Sequence, residues 1–141
     1  MQDALRTACA AHAAFRAAVT GAGWFGEGRP RVVWAGFAGR PQKLLDLQAS
    51  LVENIRRLAY TLEDRPYTPH ITLGRVRSSR GAAALTQALE AMRGRAYGEA
   101  FFDRVTLYRS RPCPGGSVYE ILEECPLSAP DESAGAQETE P

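Results

Sequence analysis

Two histidines occur in the 141-residue chain, His12 and His70, and one of them stands where chemistry is possible. The run Arg65-Pro66-Tyr67-Thr68-Pro69-His70-Ile71-Thr72-Leu73-Gly74-Arg75 reads as the approach to a strand followed by the strand itself. Strand side chains alternate between faces, so His70 and Thr72 share one face while Ile71 and Leu73 take the other. The apolar pair is expected to anchor the strand in the core, with the polar pair pointing outward and Gly74 leaving room beside it. Residues two apart on a strand are separated by roughly 7 Å, so an imidazole and a hydroxyl can reach different atoms of one phosphate. A free imidazole titrates near pH 6.5 and in its neutral form can take a proton from water. A threonine hydroxyl can donate a hydrogen bond to a non-bridging oxygen. Together they form half of a metal-free phosphodiester hydrolysis site. A short H-x-T pattern equally describes a surface pair or a satisfied core histidine.

The elements that position this pair are readable from periodicity. An Ala-rich helix is predicted over 2–11, and weak alternation over 15–20 suggests a strand. Four glycines (Gly21, Gly23, Gly26, Gly28) then read as a loop holding Trp24 and Phe25. Residues 31–37 (RVVWAGF) read as a strand. Leu44, Leu47, Leu51, Ile55 and Leu58 step by three and four along a helix over about 41–62 that Pro41 opens. The motif strand is predicted over 67–76, with Pro66 and Pro69 at its start. A helix follows over about 81–94, then a strand over 101–110, a turn at 112–117 and a returning strand over 118–124. This is an α+β layout, helices packed on a mainly antiparallel sheet, with strand order undetermined. Trp34 and Tyr108 are expected in the core. Arg75 and Arg77 are expected on the face opposite His70. Tyr67 could stack on a nucleobase or pack at the sheet edge.

The remaining composition narrows the partners. A formal net charge of +1 argues against a long duplex nucleic acid as ligand but not against a small anion. Lys43 is the only lysine and every other cation is arginine, the side chain suited to bidentate phosphate recognition. Cys9, Cys113 and Cys125 have no metal-ligand or disulfide-framework spacing, so no metal and no cofactor are expected. No apolar run is long enough to span a membrane and no signal peptide is evident, so a cytoplasmic monomer is expected. Residues 1–127 form the predicted domain, and the Asp-, Glu-, Ser- and Pro-rich 128–141 a disordered acidic tail.

The run RPYTPHITLGR resembles the second H-x-T-x motif of the RNA 2′,3′-cyclic phosphodiesterases, the 2′-5′ RNA ligase family, within the two-histidine phosphoesterases. Gly21-Ala22-Gly23-Trp24-Phe25, Arg29-Pro30-Arg31-Val32-Val33-Trp34-Ala35-Gly36, the stretch from Phe102 to Ser110, and Gly115-Gly116-Ser117-Val118-Tyr119 extend the likeness over about 11–127. The resemblance implies a two-lobed fold of antiparallel sheets with helices outside. It implies hydrolysis of a 2′,3′-cyclic phosphate to a 2′-phosphomonoester without a metal. One histidine would act as general acid on the leaving oxygen. His70 would act as general base on water, with Thr72 holding the phosphate. Apart from the resemblance, Tyr67 and Arg75 are candidate substrate contacts by residue type, Arg75 reading equally as a solvated cation. RNA ends or small 2′,3′-cyclic nucleotides are the implied ligands.

The family's first H-x-T-x is absent, because His12 sits in Ala11-His12-Ala13 with no threonine two residues on. The chain is therefore expected to lack the start of its first lobe, through a fragmentary sequence, a late start codon or degeneration. A non-catalytic RNA-end-binding remnant of the same fold is the alternative reading. A third is an α+β domain that binds a small phosphorylated metabolite.

Overall fold

A computed structural model describes residues 1–130. The predicted acidic tail lies mostly outside the described residues. Three helices and six strands follow in the order α1 (Gln2–Ala10), β1 (Phe15–Phe25), β2 (Val32–Phe37), α2 (Gln42–Arg56), β3 (Ile71–Arg75), α3 (Ala82–Ala91), β4 (Ala96–Phe102), β5 (Arg104–Cys113) and β6 (Gly116–Pro126). The strands form a four-stranded sheet ordered β3-β2-β1-β4 and a two-stranded sheet β5-β6. The registered pairs β1–β2, β2–β3 and β5–β6 are antiparallel. Among the described residues no helix is long and apolar enough to cross a membrane.

The chain divides into two compact units. One comprises residues 1–15, 46–63 and 101 onward. Its core forms where α1 meets the β5–β6 hairpin. Leu5, Ala8 and Cys9, at helical three- and four-residue spacing, are buried together with Phe15, Leu47, Cys125 and Leu127. Phe15 stacks on Phe102 with ring centroids 4.9 Å apart, and Arg6 donates to Glu123 at 2.9 Å. The pair β5–β6 slips register once, at Leu107/Tyr108. Tyr108, expected in the core, is instead 53% exposed and meets Tyr119 edge to face.

The second unit comprises residues 16–45 and 64–100 and carries the H-x-T motif. Its buried residues include Pro30, Ala35, Leu44 and Leu89. Here the sequence expectation needs three corrections. β1 does not end at residue 20 but runs on to Phe25, absorbing Gly21 and Gly23 and setting Trp24 and Phe25 in the strand. Gly21 makes this possible by adopting φ +71 at a bulge in the β1–β2 pairing, a conformation costly for residues with a Cβ. The stretch 96–102 is a further strand, β4. The third falls on residues of the first unit: helix α2 stops at Arg56, short of its predicted end, and Ala59 at φ +60 turns the chain beyond it.

Candidate functional site

The motif strand is shorter than predicted. Pairing with β2 begins at Ile71, which faces Ala35, and His70 is the last residue before it. The preceding segment nonetheless fixes the histidine. Nδ1 of His70 lies 2.8 Å from the carbonyl oxygen of Thr68. A carbonyl only accepts, so Nδ1 carries the hydrogen, and in neutral imidazole the Nε2 lone pair is left free.

Register assigns the faces. Gly23 pairs with Trp34, and Trp34 pairs with Thr72, so these three lie in one row across the sheet and share one face. A Cβ on Gly23 would overlap the Trp34 ring, and one on Gly36 would come within 3.3 Å of it. The two glycines therefore form the floor on which the indole lies. Phe25 stands 5.2 Å from Trp34 and 4.9 Å from the His70 ring, which it meets at 90°, and Trp34 is 6.3 Å from His70. The imidazole is thus bounded on one side by aromatic rings and held on the other by the Thr68 carbonyl. Sequence reasoning named none of these ring neighbours. A glycine opposite a tryptophan is a recognisable pair only once the register is known.

Alternation fails at one position, which changes the role of Arg75. Trp34 pairs with Thr72 and Val33 with Gly74, so Leu73 is an extra residue in a bulge, and Val32 then pairs with Arg75. Val32 and Trp34 are two apart on β2 and share a face, so the bulge turns Arg75 onto the face of Trp34 and Thr72. The expectation that Arg75 faces away from His70 is overturned. Gly74 goes the other way, to the face of Val33, so the space beside the pair is not its doing. The expectation that Ile71 and Leu73 anchor the strand in the core also fails. They are 40% and 60% exposed, because β3 is the edge of its sheet.

Thr68 and Pro69, just before His70, line a cavity of about 330 Å³ with Trp34, Gly36, Thr20 and Arg93. Among the described residues Nε1 of Trp34, another residue lining that cavity, is buried without a hydrogen-bond partner. Tyr67 is 43% exposed. Partial burial pushes its phenol above the usual tyrosine range, which keeps the hydroxyl protonated at neutral pH. Among the described residues no group of three or more His, Cys, Asp or Glu is placed to hold a metal ion.

Comparison with known proteins sets this geometry in a lineage. The chain is 31% identical over 124 residues to the RNA 2′,3′-cyclic phosphodiesterase of Methanothermobacter thermautotrophicus, an alignment covering 87% of this chain and 66% of the relative. It is 29% identical over 111 residues to the RNA 2′,3′-cyclic phosphodiesterase of Aeropyrum pernix, covering 78% of this chain and 63% of the relative. The chain thus spans about two-thirds of the length of these curated relatives, or less. Among solved structures, a Thermus thermophilus protein superposes with a TM-score of 0.66 at 27% identity, over 90% of this chain and 68% of that one. Escherichia coli LigT complexed with 3′-AMP superposes with a TM-score of 0.62 at 27% identity, over 89% of this chain and 67% of that one. The sequence profile of the 2′-5′ RNA ligase superfamily matches residues 1–112, and the chain belongs to that superfamily.

Proposed function

We propose that His70 and Thr72 act on a 2′,3′-cyclic phosphate at an RNA end or on a nucleotide, hydrolysing it to the 2′-phosphomonoester. The observation that carries this reading is the 2.8 Å contact between His70 Nδ1 and the Thr68 carbonyl, which leaves Nε2 free to take a proton. In this reading Nε2 of His70 accepts a proton from water as the oxygen attacks phosphorus. The Thr72 hydroxyl donates to a non-bridging oxygen, where negative charge grows. The bond from phosphorus to O3′ breaks, and O3′ must receive a proton from a general acid. Arg75, turned to the same face by the bulge at Leu73, adds a planar cation for the phosphate or the nucleotide beyond it. Curated relatives carrying the name RNA 2′,3′-cyclic phosphodiesterase and nucleotide complexes of E. coli LigT with 3′-AMP and ATP support the ligand class. We further propose residues 1–127 as one functional domain acting as a monomer in the cytoplasm.

One observation favours a second reading. The sequence contains a single H-x-T, so the acid at O3′ is not supplied by a second copy of the motif within these residues. On this reading the chain captures RNA ends at His70 and Thr72 without turning them over.

Both readings are separated by incubating the full chain with an oligoribonucleotide ending in a 2′,3′-cyclic phosphate. Formation of a 2′-phosphate that His70→Ala abolishes supports hydrolysis. Binding that His70→Ala weakens, without product, supports capture. Neither binding nor product overturns both.

A further inference from the structure

We propose that Cys9 and Cys125 form a dithiol modification site, at which a small-molecule disulfide such as oxidised glutathione joins the two sulfurs and locks α1 onto β6. Both cysteines belong to the first unit, whereas His70 and Thr72 belong to the second.

The register of α1 on β6 brings the two thiols together. Gln2 Nε2 donates to the Leu122 carbonyl at 3.4 Å, and Arg6 Nη2 donates to Glu123 at 2.9 Å. Beyond the helix, the Ser128 amide donates to the His12 carbonyl at 2.9 Å. These contacts advance together along both segments, so α1 runs parallel to β6 and is pinned at both ends. Cys9 lies one helical turn past Arg6 on the same helix face, a rise of about 4.5 Å. Cys125 lies two residues past Glu123 on the same strand face, a rise of roughly 7 Å. The rung after Arg6 and Glu123 is therefore the pair of thiols. Each residue is 1% exposed, and the Cys9 thiol is hydrogen-bonded to Cys125. Adjacent sulfurs on two fixed elements are what a disulfide requires.

The third thiol does not compete for this pairing. Cys113 is exposed and pairs with Gly116 at the hairpin turn, whereas Cys125 pairs with Val105 far back along β5. At ordinary strand rise Val105 and Cys113 are about 26 Å apart. Cysteine spacing carries no trace of the Cys9–Cys125 pair, because only the fold brings the two residues together.

While α1 is docked the pair is inert. Burial pushes the Cys9 thiol up to about 11, so near neutral pH it keeps its proton and is no nucleophile. Helix α1 has nine residues and no side-chain hydrogen bond at its N-cap. A helix this short depends on its packing, and its local opening exposes both thiols at once. One cysteine thiolate then attacks a sulfur of oxidised glutathione, forming a mixed disulfide and releasing one glutathione thiolate. The adduct has no room between α1 and β6, so redocking favours attack by the second cysteine thiolate, which displaces the remaining glutathione. The two protons shed by the cysteines pass to the two glutathione thiolates, so one oxidised glutathione becomes two reduced ones. The new bond encloses residues 10–124 and with them the whole second unit. A covalent loop of that length restricts the unfolded chain strongly.

The test exposes the folded full chain to oxidised glutathione, blocks free thiols by alkylation and maps the cysteines by peptide mass spectrometry. The Cys9 and Cys125 peptides should appear joined, lighter by two hydrogens and free of glutathione, while Cys113 carries a glutathione adduct. The thermal midpoint should rise by about 10 °C on oxidation and fall back with dithiothreitol, a comparison that needs no variant. Cys113→Ser should keep the gain, and Cys9→Ser or Cys125→Ser should abolish it. A parallel sample refolded from denaturant with oxidised glutathione in excess gives the thiols access however slowly α1 opens. Free thiols or separate adducts at Cys9 and Cys125 after refolding overturn the pairing. A pair joined only on refolding overturns modification of the folded chain. A joined pair that leaves the midpoint unchanged or lower overturns the lock.

Discussion

Nδ1 of His70 donates to the carbonyl oxygen of Thr68, two residues earlier in the chain, at 2.8 Å. The bond is made by a segment that also lines a cavity, so the same residues orient the His70 ring and border open space. Both His70 and Thr72 are exposed. Exposed substitutions away from packing features change stability by about 0.5 kcal/mol or less. His70→Ala removes a hydrogen bond and ring contacts, so it is expected to lower stability by only about 1 kcal/mol while lowering kcat for cyclic-phosphate hydrolysis by a factor of roughly 10² to 10⁴. If catalysis falls only in step with stability, His70 is not the base.

Arg75 is a sharper test of the register, because strand alternation alone puts it on the wrong face. The bulge at Leu73 returns it to the face of Thr72. Arg75→Ala should raise KM for a cyclic-phosphate substrate about tenfold or more, the scale of losing a charge-assisted contact. Arg75→Lys should recover part of that loss, since it restores charge but not the planar fork. Arg75→Ala with unchanged KM and kcat would place the side chain away from the substrate.

How much was readable before the fold was known follows from what is local. The joint orientation of His70 and Thr72 depends on a two-residue period and was legible. So were α1, β2, the apolar stripe of α2 from Leu44 to Ile55, though not its predicted continuation to Leu58, and the final hairpin. The side of Arg75 depends on which residue of β2 each residue of β3 meets, and no pattern within β3 reveals the skipped Leu73. Trp24 and Phe25 read as loop because glycines surround them. Yet Gly21 serves a bulge and Gly23 makes room for Trp34, both properties of pairing with β2. β4 escaped notice because Gly98, at φ +102, interrupts its alternation. The aromatic wall of Phe25 and Trp34 beside His70 had no signature beyond the presence of the rings.

The glycines of the second unit differ in what they tolerate. A methyl group on Gly23 would drive into the Trp34 ring, whereas one on Gly74 meets nothing within 4 Å. Gly23→Ala should cost about 1–3 kcal/mol, the range for overpacking. It should also disturb His70 through Trp34, visible as a change in tryptophan fluorescence and in the imidazole proton resonances. Gly74→Ala should be neutral or stabilising by up to about 1 kcal/mol, because it removes chain entropy from the unfolded state. Equal tolerance at both positions would contradict the seating of Trp34 on Gly23.

Ala59 follows α2 in the left-handed conformation, at φ +60. Its amide donates to the Arg56 carbonyl at 3.0 Å. An L-residue with a Cβ is disfavoured there by roughly 1–2 kcal/mol, and glycine is the usual occupant of such a helix end. Part of that gain is cancelled by the greater freedom of glycine in the unfolded chain. Ala59→Gly should therefore stabilise the protein by a net amount of about 0.5–1 kcal/mol, read as a higher denaturant midpoint. A destabilised variant would mean that the Ala59 methyl makes packing contacts worth more than the backbone strain.

The last prediction concerns the buried thiols of the first unit. Cys9 and Cys125 are each about 1% exposed. Burial, and secondarily the neighbouring Cys125, push the Cys9 thiol up to about 11, whereas an unfolded cysteine titrates near 8.5. Between those values the unfolded chain releases a proton that the folded chain retains, so stability falls as pH rises. The contribution is fully present below about pH 8.5 and is lost as pH climbs toward 11, at up to roughly 1.4 kcal/mol per pH unit. The phenol of Tyr67, also raised by burial, acts in the same direction. Denaturant unfolding at about pH 8 and about pH 10 should show this loss. Cys9→Ala should flatten the dependence while lowering stability slightly at both values through lost packing. An undiminished alkaline loss in Cys9→Ala would shift the cause to Tyr67 or another group, and Tyr67→Phe would then identify it.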